Sequence, residues 1–346
     1  MTEQAFDYWS FFAEETRRAD APLYTRFVEG IAQDDDLKAL AATVRKGQPM
    51  ANILLAAVHV LLLRGAEHPL RRLYPNLNGG VRLNSEDAFP LFRDFVEHHR
   101  VELVPLIATK VTNTNEVGRS AFLHAGFRAT AAQAGTPLHL IEIGPSAGLN
   151  QRWDSYRVNY RRGDEAFGVG LAGSQVVIET ELRGAGIPPH GKNPEIGSRV
   201  GLELNPVDLG DPDQRDWLRA LVWPDHIARF GQLENALAMA QGWKPNIRVG
   251  DALASLPEVL AEIPAGEPVC VYHTFVTYQF SAEMREALDD MLVGISVRRP
   301  VHRLSIEGTL SGAAPMLLYS YRDGAKDKQT LANCSPHGSW LEWQAP

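Results

Sequence analysis

Only two cysteines, Cys270 and Cys334, occur in 346 residues, and no CxxC pair exists. That excludes a disulfide framework and a thiolate zinc site, and a reducing compartment is expected. Long apolar runs are also missing. The longest, Ile53–Leu63, is broken by His59. It falls short of the ~20 apolar residues a membrane span requires, and reads as a buried helix. The first twenty residues carry acids where an export signal needs a basic end and an apolar stretch. No membrane partner is expected, and the expected location is cytoplasmic. Positive charge is scarce as well. The 34 Lys and Arg face 42 Asp and Glu, a net charge of −8, with most of the acidic excess after residue 140. Non-specific nucleic-acid binding relies on Lys and Arg displacing counterions, so no nucleic-acid partner is expected. None of the eleven histidines shows ligand spacing such as HExxH, and no metal site is expected. The P-loop is absent, which removes that phosphate-binding motif.

What is present falls into two textures. Apolar residues spaced by three and four predict helices over Phe6–Arg18, Leu23–Ile31, Asp36–Val44, Ala51–Arg64 and Glu86–His99. Pro22, Gly47-Gln48-Pro49 and Asn76–Gly80 separate them, and a further helix is predicted from Asn115 to about Ala134. From Pro137 onward, short apolar runs ending in polar or glycine residues alternate with helical stretches, the pattern of βα units. Strands are expected at Leu138–Ile143, Arg199–Leu204, Asn246–Val249, Val269–His273, Val301–Glu307 and Met316–Tyr321. The segment 151–198 is long for a connection, and such lengths carry function or their own small structure.

The first strand ends in an acid and a glycine turn: Glu142, Ile143, Gly144, Pro145, Ser146, Ala147, Gly148, Leu149, Asn150. Glycines at 144 and 148 permit close approach of a ligand, and an opening helix presents unpaired N–H groups. A dinucleotide fingerprint requires G-x-G-x-x-G, and here Ser146 stands at the middle glycine with no third glycine in register. The piece instead resembles E-x-G-x-G-x-G, the first motif of class I S-adenosylmethionine-dependent methyltransferases. Later segments follow in the order of that family. The run through Glu203 and Leu204 resembles its second strand, whose terminal acid accepts two ribose hydroxyls. Gly250-Asp251-Ala252 resembles the third motif, which reads adenine. Pro268–Phe275, with His273, resembles the fourth strand.

One spacing departs from the pattern. Glu203 follows Gly148 by far more than the ~20 residues usual in a nucleotide-binding unit. Either 151–198 is an insertion, or the acid is Glu179 or Glu181; Glu203 is preferred because a strand precedes it.

A second resemblance covers nearly the whole chain. Thr114–Arg119 (TNEVGR), the GPSAGLN turn, Trp153–Tyr156, Leu204–Asp208, Trp223-Pro224 and His337–Trp343 (HGSWLEW) resemble a bacterial family known only as a domain of unknown function. Together the two resemblances imply an α/β fold: a class I methyltransferase-like Rossmann sheet over 135–346, with an insertion at 151–198 and an N-terminal helical cap subdomain over 1–134. The methyltransferase resemblance implies methyl transfer from S-adenosylmethionine to a small-molecule acceptor; the second resemblance supplies no reaction. Two alternatives stay open: another S-adenosylmethionine chemistry, such as cyclisation or aminocarboxypropyl transfer, and a non-catalytic nucleotide- or metabolite-binding module.

The expected cofactor residues are Asn115, Glu142, Gly144, Ser146, Gly148, Asn150, Glu203, Leu204, Asp251, Ala252 and His273. The expected catalytic residues are His273, Tyr156, Glu116 and Arg119. His273 is the candidate general base, since imidazole titrates near neutrality; the alternative is a hydrogen-bonded strand histidine. Asn115, Glu116 and Arg119 are either a helix cap with a surface ion pair or a trio that a closing cap brings to the pocket. Asp154, Tyr156 and Tyr160 are candidates for the acceptor pocket, whereas Trp217 and Trp223 are expected to anchor a core.

Overall fold

Helix punctuation in the first third is set by side chains next to each start. In the computed structural model, which describes residues 7–84, 86–308 and 312–345, α1 (Tyr8–Arg18) begins where Asp7 accepts the N–H groups of Trp9 and Ser10. Its expected first residue, Phe6, lies outside the described residues. Pro22 opens α2 (Pro22–Ala32), and Asp34 caps α3 (Asp35–Ala41) through the Leu37 N–H. The apolar run becomes α4 (Met50–Leu63), buried on nearly every face. Its His59 gives the Nδ1 hydrogen to the Ala220 carbonyl at 3.0 Å. Burial pulls the pKa of that imidazole down to about 4. Next come α5 (Ala88–His98) and α6 (Arg100–Thr109). Pro105 inside α6 disguises it in the sequence. Among the described residues no helix is long and apolar enough to cross a membrane.

After a 3₁₀ turn at Val117–Arg119, α7 (Ser120–Ala134) leads into β1 (Leu138–Ile143). A short 3₁₀ segment, Leu149–Ser155, precedes β2 (Arg157–Arg162), β3 (Glu165–Gly170) and β4 (Val177–Arg183). Then follow β5 (Ile196–Glu203), α8 (Pro212–Ala220), α9 (Ile227–Met239), β6 (Ile247–Val249) and α10 (Ala252–Glu262). The chain ends with β7 (Val269–Thr274), α11 (Ala282–Ser296), β8 (Val301–Ile306), β9 (Ala314–Arg322), β10 (Ala325–Cys334) and β11 (Trp340–Trp343).

The chain divides into two compact units, one of residues 1–114 with 208–234 and one of 115–207 with 235–346. The helical unit closes on an apolar core that includes Phe27, Leu55, Phe92 and Phe95. Trp217 is buried in that core and Trp223 packs against it, as expected of anchors. The division differs from the expected boundary at residue 134. Helix α7 belongs to the second unit, and 208–234, read as part of the sheet domain, belongs to the helical one. The reason is burial: Trp217, Ala220 and Leu221 complete the helical core, whereas α7 packs on β4, β8 and β9.

The second unit holds one 11-stranded sheet in the order β3-β2-β4-β11-β10-β9-β8-β7-β1-β5-β6. From β8 to β6 every neighbouring pair is parallel. β8 through β11 run antiparallel in turn, β11, β4 and β2 are mutually parallel, and β3 closes the edge antiparallel. Segment 151–198 is thus no loose insertion; it supplies three strands at the far edge. The protein is α/β with a sheet that is larger and more mixed than the expected Rossmann sheet.

Within the parallel part, β1 has β5 on one side and β7 on the other, so the order of the chain reverses between β1 and β7. The crevice beyond the carboxyl ends of the strands at such a reversal is where open α/β sheets bind ligands.

Candidate active site at the carboxyl ends of the parallel strands

Both central strands end in unusual backbone. Ser146, in the turn after β1, has φ +56°, and Phe275, just after β7, also has φ +56°. Left-handed backbone is costly for a bulky side chain such as Phe275, and strain of this kind gathers at functional sites. The Ser146 turn is held from the neighbouring strand. Glu203, the last residue of β5, accepts the Ser146 N–H at 2.9 Å and the Asn205 N–H at 3.1 Å, one on each oxygen. The register pairs Ile143 with Leu202, so Glu203 lies at the end of the strand beside β1. Glu179 and Glu181 lie on β4, with five strands between it and β1. They are not the acid beside this turn.

The two turn glycines serve the backbone and the protein's own packing. Gly144 and Gly148 have φ +72° and +74°. A Cβ on Gly144 would lie 2.6 Å from Val276, and one on Gly148 would lie 2.7 Å from Pro245. The expected reason for these glycines, room for a ligand, is therefore corrected: Val276 and Pro245 already occupy those approaches. Asp251 caps α10 through the Ala254 N–H at 3.0 Å. Ala252 is buried in the apolar layer under that helix, while Leu204 is exposed.

His273, near the end of β7, is 1% exposed. Its Nδ1 lies 2.6 Å from Oε1 of Glu307. Glu307 directly follows β8, and its carboxylate also accepts the backbone N–H groups of Val276, Thr277 and Tyr278 at 3.0–3.2 Å. Burial acts to raise the Glu307 carboxyl. The adjoining His273 and the backbone N–H groups outweigh it and leave the group below the usual carboxylate value. The imidazole Nε2 is buried and has no partner among the described residues. Asn150 Oδ1, just beyond the β1 turn, is likewise buried without a partner among the described residues. Buried polar atoms are rarely left unsatisfied, so both call for a group from solvent or ligand.

Beneath this edge, Glu142 of β1 is buried and accepts the Tyr272 hydroxyl at 2.9 Å. Burial pushes its carboxyl up to about 7, with Glu203 adding to the rise and Tyr272 and Arg119 opposing it.

The trio at 115–119 belongs to the sheet unit itself. Asn115 accepts the Leu149 N–H at 3.0 Å and so braces the β1 turn. Arg119 is buried, donates to the Thr274 carbonyl at 2.9 Å and the Pro336 carbonyl at 3.2 Å, and stacks 4.6 Å from the Phe275 ring. Glu116 accepts the Gly118 N–H and pairs with His337 Nδ1 at 2.8 Å. Glu116 and Arg119 are both buried, so the expected surface ion pair is corrected to a buried position. Arg119 thus ties the residue after one carboxylate-bound histidine to the residue before another. At the same place two glycines cross: a Cβ on Gly338 would lie 1.9 Å from the Gly118 oxygen. The TNEVGR and HGSWLEW stretches meet there.

Some expected residues are committed elsewhere. The Tyr156 hydroxyl donates to the Leu149 carbonyl at 2.9 Å, and burial raises its pKa further. Tyr160 donates to the Ala121 carbonyl, and Asp154 pairs with Arg199 at 2.5 Å. Tyr156 and Tyr160 are wholly buried, which turns both from acceptor-lining candidates into internal braces. Sequence reasoning missed Glu307 and His337 as site residues. Glu307 carried the same signal that singled out Glu203, an acid ending an apolar strand.

Among the described residues, one group could bring metal-ligating atoms together: His68, Asp94 and His98, within 4.8 Å of one another. The Leu70 N–H donates to His68 Nδ1 at 3.1 Å, so the neutral ring carries its hydrogen on Nε2, 2.9 Å from Asp94. That nitrogen has no lone pair to offer a metal.

An α/β protein with strained turns and a carboxylate-bound histidine at a strand-order reversal is the class that these features define. The chain belongs to the family described as an uncharacterized protein conserved in bacteria (DUF2332), whose model matches residues 7–343. No curated protein and no solved structure gives a significant match.

Proposed function

We propose that the carboxyl edge at β1, β5 and β7 binds S-adenosylmethionine and directs methyl transfer to a small-molecule acceptor. The observation that carries this is the reversal of strand order between β1 and β7, with Glu203 and His273 at the ends of the strands beside it. Glu203 fits the role of a ribose acid. Each of its oxygens accepts one backbone N–H, and a carboxylate oxygen has a second lone pair for a hydroxyl. Asn150 Oδ1, buried without a partner among the described residues, offers a further acceptor. When bound, S-adenosylmethionine supplies an activated methyl group on a sulfonium. The protein's share is to hold the acceptor in line and keep water out. The turn glycines lend no support, since their open sides are filled by Val276 and Pro245.

Calorimetry with S-adenosylmethionine tests the binding. Product analysis tests the chemistry: S-adenosylhomocysteine marks methyl transfer, and methylthioadenosine marks the cyclisation or aminocarboxypropyl alternative. Absence of binding removes both.

A further inference from the structure

We infer that the acceptor at this edge is a protic nucleophile, an alcohol, phenol or amine, whose proton leaves to Nε2 of His273 with Glu307 as the positioning residue. This rests on the methyl-transfer reading above. The ionised Glu307 carboxylate can only accept, so the imidazole hydrogen sits on Nδ1, 2.6 Å away, and Nε2 presents a lone pair. Three successive backbone N–H groups, of Val276, Thr277 and Tyr278, fix that carboxylate. The ring cannot turn to use its other nitrogen without abandoning that fixed carboxylate.

Nε2 is buried and has no partner among the described residues. His59 and His139 have both ring nitrogens bonded; His124 also leaves Nε2 buried without a partner among the described residues, but its Nδ1 faces Arg128, whereas the Nδ1 of His273 is held by a carboxylate. A base enclosed in this way is of little use to a thiol, which ionises readily in water, or to an acceptor with no proton to lose. An alcohol, phenol or amine needs it. In the step, the acceptor heteroatom bonds to the methyl carbon as the sulfur–methyl bond breaks and its electron pair stays on sulfur. The acceptor proton passes to Nε2, and the imidazolium is paired with Glu307.

The test uses the full chain with histidine labelled by nitrogen-15, and with His273→Gln to assign the signal. The expected spectrum shows His273 protonated on Nδ1 with an unprotonated Nε2, and Glu307→Gln shifts the proton toward Nε2. A wild-type ring protonated on Nε2 overturns the inference. In parallel, S-adenosylmethionine carrying a carbon-13 methyl group is incubated with the protein and a small-molecule extract of bacterial cells. Label on oxygen or nitrogen is expected, falling about 100-fold or more in His273→Gln when each protein is compared at S-adenosylmethionine concentrations that saturate it. Label on sulfur or carbon overturns the inference and leaves methyl transfer standing. Binding without any labelled product removes the methyl-transfer reading itself, and the inference with it.

Discussion

The five parallel strands and the six strands beyond β8 share one sheet but follow different rules. β1, β7 and β8 are buried at every position, so both faces are covered. β4 alternates exposed and buried residues along its whole length, and β9 alternates over most of it. Fully covered strands can carry function only at their ends, because their middles are packed on both faces. The candidate site accordingly lies at the carboxyl ends of β1, β5 and β7. The mixed half sends one element there, the turn before β11, where Gly338 crosses Gly118 and His337 meets Glu116.

That crossing gives the largest expected effect. Gly338 has φ +75°, and any Cβ would overlap the Gly118 carbonyl. Gly338→Ala is therefore expected to cost roughly 4 kcal/mol or more, measured by urea unfolding. Gly163, in the β2–β3 hairpin, has φ +56°, and a Cβ there would meet nothing within 4 Å. Gly163→Ala should cost only about 1–2 kcal/mol, the strain of left-handed backbone alone. Equal losses at the two glycines would mean that the junction is no tighter than an edge hairpin.

Arg119→Ala comes next. The side chain is buried and ties Thr274 to Pro336. Removing it leaves carbonyls unpaired, and a loss of about 2–4 kcal/mol is expected in the same unfolding measurement. A loss under about 1 kcal/mol would return Arg119 to the status of a surface residue.

The two halves also differ in how far the sequence discloses them. All six expected strands form, with ends shifted by no more than a few residues; five of them are the parallel set. The mainly apolar stretches of β1 and β7 match what covered strands require, whereas β5, β6 and β8 mix polar residues in and are marked chiefly by the Glu203, Gly250 or Glu307 that ends them. The other five, β2, β3, β4, β10 and β11, are not among those six. β10 opens with Ala325, Lys326, Asp327 and Lys328, all exposed, so its first half has no apolar signature. β3 is Gly-rich and nearly all accessible. The site was legible where chemistry coincides with a strand end, as at Glu203 and His273. Partners brought in from a distance, such as Glu307 for His273 and His337 for Glu116, depend on sheet order that no local pattern encodes. The glycines misled for the same reason: a positive φ is written in the residue type, but what fills the space beside it is not.

Acid–base linkage at Glu142 is the third and more moderate effect. Its carboxyl is pushed up to about 7 in the folded chain, against an ordinary value of 4.5. Between those two values the folded state holds a proton that the unfolded state has lost. Stability from this group is therefore fully present below the lower value and falls as pH rises toward the upper one, by up to about 3 kcal/mol. Glu142→Gln keeps a partner for the Tyr272 hydroxyl and removes the slope. Unfolding free energies at pH 5 and pH 8 should then differ less in the variant than in the parent, and the variant should be the more stable at pH 8. An unchanged slope would place the pH dependence elsewhere.

The smallest expected effect separates the two halves by ligand affinity. Glu203 and Glu181 are both carboxylates on strands of one sheet, but only Glu203 stands beside the β1 turn, where it accepts the Ser146 N–H at 2.9 Å. Glu203→Gln leaves an amide where two backbone N–H groups now meet a carboxylate, and an amide has one acceptor oxygen in place of two. S-adenosylmethionine affinity should weaken by about 1–2 kcal/mol, roughly 5- to 30-fold by calorimetry, with the loss divided between the ribose contact and a looser turn. Glu181→Gln removes an exposed ion pair with Arg183 on the opposite half of the sheet, and should change affinity by less than twofold. Were Glu181→Gln the damaging change and Glu203→Gln the silent one, the ligand would belong to the mixed half, and the reversal between β1 and β7 would have to be given up as its site.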